Sequence, residues 1–308
     1  MVNRAMDGRE WLLLAALSLV WGGTFFFIEV ALVDLPPLTI VLGRVGIAAA
    51  ALVALVVALG LRLPREPGMW GALLVMGALN NVLPFTLIAT AQTEITSGLA
   101  AILNSTAPLF SLLLAHLLGA GERITAHRLG GLLLGIAGVA VLVGPDAIAG
   151  LGGRGLAQIA VLAATLAYAC AALYGRRFKG TPPLVVACGQ LICSTLLALP
   201  AALVVDRPWQ LVPGASTWAA LASLALLGTA LAYLIYFRLL ASAGATNLLL
   251  VALLAPASAL VLGVLFLGEP VAPAMLAGMA LIAAGLVTID GRALGLPLRP
   301  RPLTPRAP

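Results

Sequence analysis

Residues Trp11–Val33 read WLLLAALSLVWGGTFFFIEVALV, an apolar run broken by one charge, Glu29, and stopped by Asp34-Leu35-Pro36-Pro37. About 20 such residues in a helix cross a hydrocarbon core of roughly 30 Å. Within lipid the backbone must satisfy its own hydrogen bonds, which leaves helices or closed barrels. The run shows none of the period-2 alternation of barrel strands, so it reads as a membrane-spanning helix. Arg4 and Arg9 before it resemble the start of a signal peptide. The run is too long for a signal core, so an uncleaved first span is expected.

Nine further runs follow, giving spans at about 11–33, 38–59, 69–91, 96–118, 127–144, 155–175, 183–205, 217–240, 246–267 and 273–291. Of the 308 residues 62% are hydrophobic and 9% charged, with mean hydropathy +1.12. A soluble domain carries about 25% charged residues, so too few are available to coat a globule. The separators are short, and the tail from Leu296 is rich in Pro and Arg, a composition expected to be disordered.

The net charge of +6 and pI near 9.9 would suggest nucleic acid in a soluble chain. Here the basic residues sit at span ends and act as topology signals, so no nucleic-acid partner is expected; the partner is the bilayer. With the N-terminus inside, inner segments hold fourteen of the 17 Lys and Arg; outer loops hold Arg154 and Arg207, and Arg44 lies within a span. Both termini are therefore expected to be cytoplasmic.

The chain repeats itself. Pro36-Pro37-Leu38 recurs as Pro182-Pro183-Leu184. At an offset of 147, Trp21 meets Tyr168, Glu122 meets Glu269, Gly131 meets Gly278 and Gly138 meets Gly285; Pro108 meets Pro256 one residue later. A near-constant offset over the whole chain marks an internal duplication. Five spans per half is odd, so the second half must enter the membrane from the opposite side. The expected fold is an all-α integral membrane protein of ten transmembrane helices, two inverted five-helix repeats (1–147 and 148–295, with 296–308 as tail) around a central cavity. Many secondary transporters are built so.

The repeats also carry family motifs. Ser18-Leu19-Val20-Trp21-Gly22 opens the first half, while Pro256, Leu267-Gly268-Glu269-Pro270, Gly278 and Gly285 in the second answer Pro108, Gly121-Glu122, Gly131 and Gly138. In order, spacing and duplication this resembles the EamA-type members of the drug/metabolite transporter superfamily, and within them the YddG-type amino-acid exporters of bacterial inner membranes. The resemblance implies ten helices, a central cavity between the halves, and efflux of amino acids, aromatic ones included.

Substrate sites in inverted-repeat transporters lie near the bilayer midplane. Trp21 and Thr24, Asn80 and Asn81, Asn104, Tyr168, and Tyr233 with Tyr236 occupy mid-span positions and are the candidate substrate-binding residues. A buried Asn amide needs a partner or a wet cavity, and interhelical hydrogen bonding is the plainer alternative for each. Trp21 and Tyr168 either wall the cavity or pack helices. Pro108 and Pro256 remove a backbone hydrogen bond at matched positions, as hinges or as fixed kinks. Glu29 and Arg44 lie at matching depth and suggest an ion pair, a gate or a structural clamp. Glu122 and Glu269 are expected to cap helix starts, and Gly131, Gly135, Gly138 and Gly285 to pack helices closely. Trp11, Trp70, Trp209 and Trp218 read as interface anchors.

No Walker A motif, catalytic triad, metal-ligand spacing or cofactor motif is evident, so neither an enzyme nor a cofactor is expected. An intramembrane lipid-modifying enzyme would need clustered His, Asp or Ser at the interface. No charged residue is assigned close to the midplane, which favours a neutral or zwitterionic substrate and facilitated efflux by alternating access. A proton-coupled drug or metabolite pump of the same superfamily is the alternative. Ten helices in two halves can enclose a cavity as a monomer.

Overall fold

The structure, a computed structural model, describes residues 6–118, 125–149, 153–248 and 250–290. Its ten helices long and apolar enough to span a membrane are α1 (Gly8–Leu32), α2 (Pro37–Ala58), α3 (Pro67–Ala91), α4 (Ser97–Leu117), α5 (Ala126–Gly144), α6 (Gly153–Phe178), α7 (Pro183–Asp206), α8 (Ala215–Ser242), α9 (Leu250–Leu267) and α10 (Pro273–Asp290). They match the expected spans to within a few residues. No strand occurs among the described residues. Glu122 and the tail from Leu296 lie outside them.

Local chemistry sets the helix ends. Asp7 accepts the Glu10 amide at 2.8 Å while Glu10 accepts the Asp7 amide at 3.0 Å, a reciprocal capping box that opens α1. Pro37, Pro67, Pro183 and Pro273 each occupy the first residue of a helix, where a missing N–H is harmless and φ is already helical. Gly268, just past α9, takes φ +67°, a conformation that glycine adopts without strain.

The strongest helix pairings join one half to the other. α1 packs on α8 and α9, and correspondingly α6 packs on α3 and α4; α2 packs on α7, and α5 on α10. At the α5–α10 crossing a Cβ on Gly131 would meet the Gly285 carbonyl oxygen at 2.5 Å, and one on Gly138 the Gly278 oxygen at 2.8 Å. Gly278 and Gly285 are the repeat equivalents of Gly131 and Gly138, so exchanging the halves maps this contact onto itself. That is the property of a two-fold axis. Because 131 faces 285 while 138 faces 278, the equivalent helices run antiparallel and the halves are inverted. The glycines do the packing expected of them, at backbone-to-backbone range.

Candidate functional site

Two matched irregularities mark the middle of the bundle. α3 carries a π-helical turn at Ala78–Val82 and α8 carries one at Leu226–Leu231, within two residues of the 147-residue repeat offset. Such turns widen a helix by one residue and re-aim the side chains on it; they concentrate at functional sites. Here they carry Asn80 and Asn81 on α3 and Thr229 on α8.

Tyr233, one turn past the α8 irregularity, is the node of a polar network. Its hydroxyl accepts from Asn80 Nδ2 and from Gln190 Nε2 of α7, each at 3.0 Å, and donates to Asn81 Oδ1 at 3.0 Å. Asn81 is fully buried and donates to Ser194 Oγ at 2.9 Å, and Ser194 donates to the Gln190 carbonyl at 2.6 Å. Gln190 Oε1 is sealed from solvent and accepts no hydrogen bond. On the terminus side the rings continue: Phe237 stacks on Tyr233 at 6.0 Å, Tyr236 meets Phe237 at 5.4 Å, and Trp21 of α1 lies 5.7 Å from Tyr236. Further along α1 and α8, a crevice of about 280 Å³ opens between Asp7, Glu10, Leu13, Arg238 and Ser242.

Arg44 enters this centre from α2. Its Nε donates to Thr229 Oγ1 at 2.9 Å, its guanidinium carbon lies 3.6 Å from the centroid of the Phe85 ring, and Tyr168 and Tyr233 are its electrostatic neighbours. The expected ion pair with Glu29 is not made. Glu29 instead accepts from Gln92 Nε2 at 3.0 Å, near the far end of α3. Glu29 lies three residues from the end of α1 and stays beside the loops, whereas Arg44 lies seven residues into α2 and its side chain carries the charge further inward, to Thr229 in the middle of α8. The expectation that no charge lies near the midplane is corrected for the same reason.

The remaining candidates separate. Thr24 donates to the Trp21 carbonyl of its own helix at 2.6 Å, and its methyl abuts Gly228, so it seats α1 on the α8 irregularity. Tyr168 joins Arg44 and Tyr233 rather than Trp21, its repeat equivalent. Asn104 stands outside the network with Oδ1 buried and without a partner. α4 is interrupted after Asn104, and Pro108 is the second residue of its second segment, Ala107–Leu117; Pro256 lies inside the continuous run Leu250–Leu267. The two prolines are thus not equivalent in structure. Glu269 accepts the Ser97 and Gly98 amides at 2.8 and 3.1 Å and caps α4 as expected of it. Gln190 and Ser194, missed in the sequence, sit four apart on one face of α7. That spacing of two polar residues within an apolar run was the available signal.

The chain matches the EamA-like transporter family twice, over residues 9–144 and 155–289. It is 26% identical over 279 residues to the uncharacterized inner membrane transporter YedA of Escherichia coli (90% of this chain, 89% of that one). It is 28% identical over 271 residues to the protein PecM of Dickeya dadantii (88% and 89%). With a probable terminal-alkyne amino-acid exporter of Streptantibioticus cattleyicolor it shares 29% over 282 residues (89% and 91%). A solved crystal structure at 22% identity superposes with a TM-score of 0.68, covering 94% of this chain and all of that one.

Proposed function

Because the chain belongs to the EamA-like transporter family, we propose that it exports amino acids, aromatic and other neutral ones, across the bacterial inner membrane by alternating access of its two inverted halves. The observation that carries this reading is the mid-bundle constellation itself: three amides, a tyrosine hydroxyl and a guanidinium beside a row of aromatic rings. Amides and hydroxyls suit the polar backbone of an amino acid, and ring faces suit its side chain. The likeness to a probable amino-acid exporter supports the same class.

The crevice at the ends of α1 and α8 lies on the same two helices as Trp21 and Tyr236, on the face that bears the termini, the cytoplasmic face in this reading. In this reading the two halves move relative to one another, as the inverted repeats of other transporters do. Transport is facilitated, driven by the substrate gradient: the carboxylates Glu29 and Glu269 lie at the far face, engaged by Gln92 and by the α4 amides, and none joins the central network among the described residues.

Reconstituted protein should take up radiolabelled phenylalanine or leucine saturably without a proton gradient, and substitution of Tyr233 should abolish the uptake. Uptake only with an imposed gradient would establish the proton-coupled alternative. A panel of neutral amino acids all left outside would overturn the substrate class while leaving the fold intact.

A further inference from the structure

Arg44 is 7% exposed, and its only hydrogen bond among the described residues is Nε to Thr229. Neither Nη nitrogen has an acceptor among the described residues. Nor is either one of the sealed, unpartnered polar atoms of the interior, such as Gln190 Oε1 and Asn104 Oδ1. The two nitrogens therefore retain accessible surface. Phe85 covers one face of the guanidinium plane and Thr229 holds its Nε edge, leaving the Nη1–Nη2 end as the free side of a fixed, planar fork.

A permanent cation inside a membrane bundle needs an anion or water to offset its desolvation. No carboxylate comes within ion-pair distance of Arg44 among the described residues. We propose that Arg44 is the anion-recognition residue of the transport site, its two Nη groups gripping the carboxylate of the transported solute in a bidentate pair. This rests on reading the Tyr233 network as the substrate site. The spacing of paired N–H donors matches two carboxylate oxygens, and a locked guanidinium loses little freedom on binding. A carboxylate in this place offsets the guanidinium charge directly. The class is thus a carboxylic acid with an apolar side chain for the neighbouring rings, with or without an α-amino group; amines and amides of the same skeleton are poor ligands.

The test is thermal unfolding of the purified full-length protein in micelles, at fixed ionic strength in a buffer free of carboxylate. The ligands are phenylalanine, its amide, phenethylamine and 3-phenylpropionate. The two carboxylates should raise the melting temperature, with apparent affinities at least about thirtyfold above the amide and amine. Arg44→Gln should remove that preference and Arg44→Lys should keep part of it. The acid-to-amide comparison on the unaltered protein needs no variant to fold. Protection by the amide equal to that by the acid overturns the inference. So does a melting shift that chloride alone reproduces in full, or no shift with any carboxylate. Protection by 3-phenylpropionate without phenylalanine keeps the Arg44 assignment and removes the amino-acid reading. Undiminished phenylalanine uptake by Arg44→Gln does the reverse.

Discussion

Gly131 of α5 and Gly285 of α10 meet with no side chain between them: a Cβ on either would lie 2.5 Å from the other's carbonyl oxygen. Such close approach gives dispersion contact over the full helix surface, which in lipid replaces the hydrophobic drive absent between apolar helices. Either glycine changed to valine should lower stability by about 1–3 kcal/mol through overpacking. The same change at Gly130, where a Cβ meets nothing within 4 Å, should be near neutral. Unfolding in detergent, read by the melting temperature of each variant, compares them directly.

Tyr233→Phe should be costly where Tyr236→Phe is not. Losing the Tyr233 hydroxyl strands the Asn80 and Gln190 amide donors and the Asn81 carbonyl together. Each buried group left without a partner costs about 1–3 kcal/mol. The Tyr236 hydroxyl makes no hydrogen bond among the described residues, and its ring contacts survive the change. Melting temperature and initial uptake rate should both fall for the first variant and hold for the second.

Glu269 links the loop before α10 to the start of α4. Glu269→Ala should cost about 0.5–2 kcal/mol as a lost helix cap. A Cβ on Gly263 would collide with the Glu269 carboxylate, so Gly263→Ala should displace it and reproduce much of the loss. The double variant should then fall short of the sum, a non-additivity that a double-mutant cycle in thermal unfolding would measure.

The loop between α1 and α2 is tied to α8 by Asp34, which accepts from Thr217 Oγ1 at 2.5 Å and from the Gly214 amide at 2.9 Å. These two donors, Thr217 first, hold its carboxyl below the ordinary aspartate value. A depressed folded-state value means the tie is at full strength above the ordinary range, about pH 4, and is lost only as pH falls through the lower folded value. Protection of the Gly214 amide against exchange, corrected for intrinsic rate, should therefore persist below pH 4. Thr217→Val should raise the pH at which it disappears; an unmoved midpoint would refute the assignment.

How much of this was legible in the residue order differs between fold and site. Ten apolar runs of spanning length admit only helices, because lipid offers the backbone no other partner. An odd number of spans per repeat inverts the second half by counting alone. The glycines of α5 and α10 announced close packing because nothing else allows two backbones to touch. Each of these conclusions follows from length, periodicity or side-chain size, and none requires knowing which helices are neighbours.

The site depended on that neighbourhood. Asn80, Asn81 and Tyr233 were visible as polar groups in apolar runs. That one hydroxyl joins both amides, with Gln190 as a further partner, is decided by α3, α7 and α8 packing together around two π-helical turns. Glu29 and Arg44 show the limit most sharply. Their depth along α1 and α2 implied a pair, yet the direction in which each helix face points sends one carboxylate to Gln92 and one guanidinium to Thr229. Chain position sets how deep a residue's backbone sits; the azimuth of its helix and the length of its side chain set where its charge arrives. Only the folded bundle fixes those two quantities, and it placed a cation at the centre of a membrane protein whose sequence shows that charge as the eighth residue of a helix.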